Sequence, residues 1–348
     1  MDPLTSFLAT IGEEVEDAEE ESFLLFSQDI PSANLGFVDS RATTIDITIH
    51  DQDFTIHQSP TLLSSSRAGG TTGAVLWKIT PLISSWLTNT TTNPLWTHSL
   101  LTPSSTVVEL GSGISALIAL SLSPKIHHYI ATDQEYVQRL FRQNLDENAS
   151  ATTTTSSNTK SQKTNKSSKQ SSRKNKPSSG QGSKGSGNGN VTFTSLDWEL
   201  DIAGSLKESL GLAPTPTPTP GEDKEEEDEE EEDKGFDMVI SCDCIYNEAL
   251  VAPFVRTCAD LCRLRPVYTN PDDQDAGGSS RRGNETGRRG RRKPTVCVIA
   301  QQQRSPEVFE AWLQETMRVF RVFRVRDEVL GEELKLGTGY LVHVLLLK

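Results

Sequence analysis

The 348-residue chain reads as one α/β domain built on a doubly wound, mostly parallel sheet. Three observations predict this. From residue 106 onward, apolar runs of strand length alternate with segments of helical spacing. The first of those strands ends in a glycine turn that opens directly into an apolar helix. The chain closes on two strand-like segments joined by a short connection, which suits an antiparallel strand at or near one edge. Successive strand–helix units cross over right-handedly and cover both faces of such a sheet.

In chain order, residues 42–58 alternate with period two around Asp51, Gln52 and Asp53 and read as an N-terminal β-hairpin. Residues 72–87 place Val75, Ile79, Leu82, Ile83, Trp86 and Leu87 at helical spacing, with Pro81 expected to interrupt the helix. TVVEL (106–110) is a short buried strand, followed by the apolar helix ISALIALSL (114–122). HHYIATD (127–133) is the next strand, and 134–148 an amphipathic helix with Val137, Leu140, Phe141 and Leu145 inward. Strands follow at 191–198, 235–246 and 295–303, with helix 247–265 between the last two. Helix 305–320 has Ser305 as N-cap, Pro306 at its first position, and Glu307 and Glu310 near its positive end. RVFRVRDEVL (321–330) and GYLVHVLLLK (339–348) read as the closing strands.

Only 34% of the residues are hydrophobic, which is thin for a fully globular chain, and the net charge is -14. That charge is concentrated. Residues 221–234 hold 11 carboxylates against Lys224 and Lys234, and the first 22 residues hold eight carboxylates and no base. Residues 149–190 hold eight bases and no acid, and residues 269–293 hold seven bases against four acids. Segments 149–190, 211–234 and 269–293 are low in complexity, bury too little apolar area to offset chain entropy, and are expected to be disordered loop insertions. The basic stretches offer RNA an electrostatic contact, although a solvated spacer is the simpler reading. Residues 1–34 are expected to be an acidic N-terminal segment ahead of a domain at 35–348 interrupted by these inserts.

No run reaches the roughly 18–20 apolar residues of a membrane span, and the acidic N-terminus is unlike a signal peptide. Five cysteines include no paired CxxC frame and no nearby histidine, so free thiols in a reducing compartment are expected and no metal site.

VVELGSGISA carries Gly111, Ser112, Gly113 and Ala116, a G-x-G-x-x-A turn between strand and helix. Gly111 permits the tight turn and Gly113 the approach of a ligand to bare backbone. Asp133 ends the next strand, where a carboxylate can accept from ribose hydroxyls. The set points to a nucleoside-bearing ligand, with a plain tight turn as the alternative. A nicotinamide dinucleotide and S-adenosylmethionine compete. Glu109, two residues before the first glycine, is awkward beside a pyrophosphate but could attract the ammonium of an amino-acid tail. A sulfonium favours aromatic faces, and Trp77, Trp198 and Tyr246 are candidates for the same rim or for ordinary core packing. These residues favour methyl transfer.

The segments GTTGAVLWKITPLISSWL, VVELGSGIS, YIATDQEYV, LDWE and CDCIY, in this order, resemble the seven-stranded protein-lysine methyltransferases with a D-x-x-Y motif. Within them the sequence is most similar to the fungal ribosomal lysine methyltransferase 5 family, from about Leu35 to the C-terminus without the inserts. The resemblance implies a seven-stranded, class I methyltransferase-like fold and S-adenosylmethionine as cofactor. It assigns cofactor contacts to Trp77, the Gly111–Gly113 turn, Asp133, Trp198 and Cys242, and places Asp243 and Tyr246 at the target lysine. Cys242 stands where related enzymes often have another small residue. The implied substrate is a ribosomal protein of the large subunit. A cytoplasmic location with a nuclear pool allowed, and a monomer, are further expectations. Asp243 can also be read as the N-cap of the helix that follows it. The rival functions are an NAD-linked oxidoreductase and a non-catalytic adaptor that binds ribosomes or RNA. The first would need a catalytic histidine or Tyr–Lys pair; the second would predict a damaged cofactor site.

Overall fold

The computed structural model describes residues 3–31, 35–67, 70–152, 189–211, 235–265 and 293–348. The three low-complexity inserts lie outside the described residues except at their margins. At the first margin the helix Gln138–Thr152 continues past residue 149.

The strands are β1 (Gly12–Glu14), β2 (Thr44–Ile49), β3 (Gln52–His57), β4 (Thr106–Leu110), β5 (His128–Asp133), β6 (Val191–Ser195), β7 (Met238–Cys242), β8 (Val296–Gln302), β9 (Phe320–Val325) and β10 (Tyr340–Leu347). The large sheet runs β1-β9-β10-β8-β7-β4-β5-β6, and β2 and β3 form a separate hairpin. Strands β4 to β8 are parallel; β10 inserts antiparallel between β8 and β9. The seven expected strands are all present, and β1 adds an eighth at the edge.

Period two explains the two layers. On β4, Val107 joins a core with helices Ile79–Thr88 and Leu117–Leu122, while its neighbour Val108 joins a core with helices Val251–Cys262 and Pro306–Val319. The sheet is therefore covered on both faces, as the alternating pattern requires.

Local departures from the sequence reading have simple causes. Pro81 is the third residue of helix Ile79–Thr88, where a missing N–H leaves no intrahelical bond unmade, so the helix is not interrupted. Ala116 adopts a left-handed conformation (φ 54°), which delays the helix expected from Ile114 to Leu117. The hairpin turns at His50 and Asp51, because pairing Ile49 with Gln52 lets Ile45, Ile49, Phe54 and Ile56 all be buried. The strand expected over 321–330 stops at Val325, and Asp327–Leu330 forms a helical turn.

The larger correction concerns the N-terminus. The boundary expected at residue 35 is not a boundary of the fold. Helix Pro3–Ile11 buries Leu4, Phe7, Leu8 and Ile11, β1 pairs with β9, and helix Ala18–Phe26 lies against helix 306–319 with Leu25 buried. The acidic charge is used there: Glu14 pairs with Arg321, and Glu21 with Arg324 at 3.0 Å. Phe7 is completely buried, so Phe7→Ala is expected to cost about 3–5 kcal/mol. Chemical denaturation will read this as a lower midpoint.

Candidate active site

The strand order reverses between β4 and β7, and a crevice opens at the carboxyl ends of strands at such a point. It encloses about 1010 Å³ of empty space, part of it open to solvent. All nine residues nominated from the sequence line this one cleft.

The glycine turn forms its floor. Gly111 has φ 73°, and a Cβ there would lie 2.3 Å from Cys244 Sγ. The N–H groups of Gly111 and Ser112 donate to Thr132 O at 2.9 and 3.0 Å. Gly113 N–H donates to Asp133 Oδ2 at 2.8 Å, and Gln134 N–H donates to Oδ1 at 2.6 Å. Asp133, expected as a ribose acceptor, is thus also the clamp that fixes the turn. A carboxylate has about four acceptor positions, so hydroxyls can still be received. Burial pushes its pKa up to about 6, against the pull of the two backbone N–H groups.

Glu109 is buried on β4 and lines the cleft. Its Oε2 accepts from Tyr129 Oη at 2.8 Å, yet burial pushes its pKa up to about 8, and the nearby Asp133 carboxylate adds to this. A ligand cation placed beside Glu109 would favour its ionised form. Its contribution to the fold is fully present below pH 4.5 and is lost as pH rises through about 8. Trp198 packs edge-on against Phe254, 5.1 Å between centroids, and its buried indole N–H has no hydrogen-bond partner among the described residues. Cys242 faces Thr80 Oγ1 at 3.9 Å, and burial holds its thiol protonated.

After the carboxyl end of β7, Asp243 is left-handed (φ 61°). Its N–H donates to Ala300 O at 2.8 Å, its Oδ1 accepts from Gln302 N–H at 3.2 Å, and its Oδ2 pairs with Arg304. Burial pushes Asp243 up and Arg304 opposes this. Asp243 is not the cap of the following segment. Asn247 caps the turn Glu248–Leu250, accepting from Ala249 N–H at 3.1 Å. Tyr246 stands at the mouth, 42% exposed, its hydroxyl accepting from Thr72 Oγ1 at 3.2 Å. Thr72 also receives, on its carbonyl, the Trp77 indole N–H at 3.0 Å. Phe37 lies 4.3 Å from the Trp77 ring and the Arg304 guanidinium 4.4 Å from it. Trp77 lines the cleft, but it also serves as the shelf on which Arg304 rests.

Arg304 was not nominated from the sequence. It follows the carboxyl end of β8 in AQQQRSP, and the rule that strand ends face the crevice is the signal that would have found it.

Residues 56–173 match the lysine methyltransferase family. A diaminohydroxyphosphoribosylamino-pyrimidine deaminase of Schizosaccharomyces pombe is 38% identical over 135 residues, 38% of this chain and 32% of that protein. A ribosomal lysine N-methyltransferase 5 of Zygosaccharomyces rouxii is 38% identical over 110 residues, 28% of this chain and 34% of that protein. Its namesake in Vanderwaltozyma polyspora is 25% identical over 349 residues, 90% of this chain and 92% of that protein. The chain thus spans about a third of the first two relatives, and the deaminase name describes a whole protein of which the matched part is 32%. The relatives of Zygosaccharomyces rouxii and Vanderwaltozyma polyspora carry the name of the group that the sequence resembles.

Proposed function

We propose that this chain is an S-adenosylmethionine-dependent protein-lysine N-methyltransferase acting on a ribosomal protein of the large subunit. The observation that carries the reading is that buried Glu109, the glycine turn, Asp243 and Tyr246 all line a single cleft. Matches to lysine methyltransferases over residues 56–173, and to yeast enzymes named for ribosomal lysine, support it.

The residues present fit the cofactor. The turn at Gly111 has no room for a Cβ, the buried N–H of Trp198 has no partner among the described residues, and Glu109 offers a carboxyl to an ammonium. Asp133 would take the ribose hydroxyls. When bound, S-adenosylmethionine supplies a methyl group on a positively charged sulfur. The chain's own task is to deliver a lysine amine that has lost its proton, against an ordinary pKa of about 10.4. Asp243 orients that amine and Tyr246 shapes the slot around it, so positioning carries most of the rate gain. The five cysteines, all free thiols, suit a reducing, cytoplasmic location, with a nuclear pool allowed.

Calorimetric titration with S-adenosylmethionine and, separately, NAD tests the cofactor. Binding of NAD alone would overturn the proposal. Because Glu109 is mostly protonated at pH 7, binding of an ammonium beside it should release about one proton. The observed enthalpy should then vary with the ionisation enthalpy of the buffer, and Glu109→Gln should remove that variation. Labelled-methyl transfer to ribosomal proteins from cells lacking the enzyme identifies the substrate.

A further inference from the structure

Arg304 touches Asp243 and Trp77 at once. Its side chain is 26% exposed and that of Asp243 2%, so the pair sits at the border of the cleft, where solvent screens charge weakly. Asp243 cannot swing away, because its backbone is held by Ala300 and its other oxygen by Gln302.

A buried carboxylate left alone beside a lysine favours the ammonium form, and so holds the proton that attack requires the amine to lose. A carboxylate whose charge is offset by a guanidinium still has lone pairs with which to accept an N–H from a neutral amine. The other ionisable groups facing Asp243 are Cys242, Cys244 and Tyr246 from its own segment and Tyr340 from β10. Each is pushed up chiefly by burial and is therefore neutral near pH 7. Among the described residues, the cation paired with Asp243 is Arg304.

Resting on the lysine methyltransferase reading above, we propose that Arg304 is a positioning residue: it fixes Asp243 and offsets its charge, so that the carboxylate orients the substrate amine without retaining its proton. Trp77, braced by Phe37 and Thr72, holds the guanidinium in place.

The test follows labelled-methyl transfer to unmodified large ribosomal subunits from neutral to alkaline pH. For Arg304→Gln, kcat is expected to fall at least about tenfold at neutral pH, the equivalent of one pKa unit. The deficit should narrow as pH rises, with KM for the subunit little changed. Arg304→Lys should restore most of the neutral-pH rate, and both variants should bind S-adenosylmethionine like the wild type. Wild-type turnover in Arg304→Gln, a deficit equal at every pH, or failure of Arg304→Lys to rescue would each overturn the assignment. If Arg304→Gln loses cofactor binding through misfolding, Arg304→Lys decides: a profile following the wild type supports the proposal, and one displaced to alkaline pH overturns it. A wild-type protein that binds S-adenosylmethionine but methylates no subunit protein overturns the substrate reading and this proposal together. An active wild type with an unaltered Arg304→Gln overturns this proposal alone.

Discussion

Asp243→Asn is expected to reduce methyl transfer by about 100-fold or more, the loss seen when a preorganised polar group is removed at a reacting centre. Cofactor binding and the fold should survive it. Asparagine tolerates the left-handed conformation that Asp243 adopts (φ 61°), and its amide oxygen can still accept from Gln302 N–H, as Oδ1 does at 3.2 Å. Alanine is a poorer probe, since a left-handed alanine adds about 1–2 kcal/mol of backbone cost to the lost contact. Asn247→Ala is the control: it removes the true cap, should cost about 1 kcal/mol, and should spare turnover. Steady-state rates beside thermal melts separate the two effects. Near-normal methylation by Asp243→Asn would show that the carboxylate does not act on the substrate amine.

Gly111→Ala should abolish cofactor binding and destabilise the protein together. The added methyl meets Cys244 Sγ at 2.3 Å, and the residue is held at φ 73°. Overpacking costs about 1–3 kcal/mol and the left-handed backbone about 1–2 kcal/mol, so a total of about 3 kcal/mol is expected. Calorimetry should find no S-adenosylmethionine binding, and denaturant titration a lower midpoint. Adding Cys244→Ala removes the steric part and leaves the backbone part, so the double variant should recover stability only partially. Full recovery would mean that the turn does not require glycine at this φ.

Much of the fold was legible because its signals are local. TVVEL is an apolar run bounded by a glycine turn, and β4 occupies that range without change. Ser305 and Pro306 announced a helix start, and Ser305 Oγ accepts from Val308 N–H at 3.3 Å. The N-terminal helix was legible too, since Leu4, Phe7, Leu8 and Ile11 fall at helical spacing. The first 22 residues also hold eight carboxylates. What no local signal carried is that some of those acids face Arg321 and Arg324, about 300 residues later in the chain.

The sequence by itself determined the alternation of strands and helices and the glycine turn, which depend on spacing along the chain or on a short motif. Its family resemblance named nine residues that the fold brings to the cleft. Only the tertiary structure decided that Asp243 is not a helix cap, that Asp133 clamps the turn, and that Glu109 is buried enough to stay protonated. It alone brought Arg304 to Asp243, 61 residues away, and Trp77 beneath it. The physical reason is that charge state and partnership depend on burial and on contacts between distant segments. Those are set when β7 and β8 lie side by side and Phe37 pairs with Trp77.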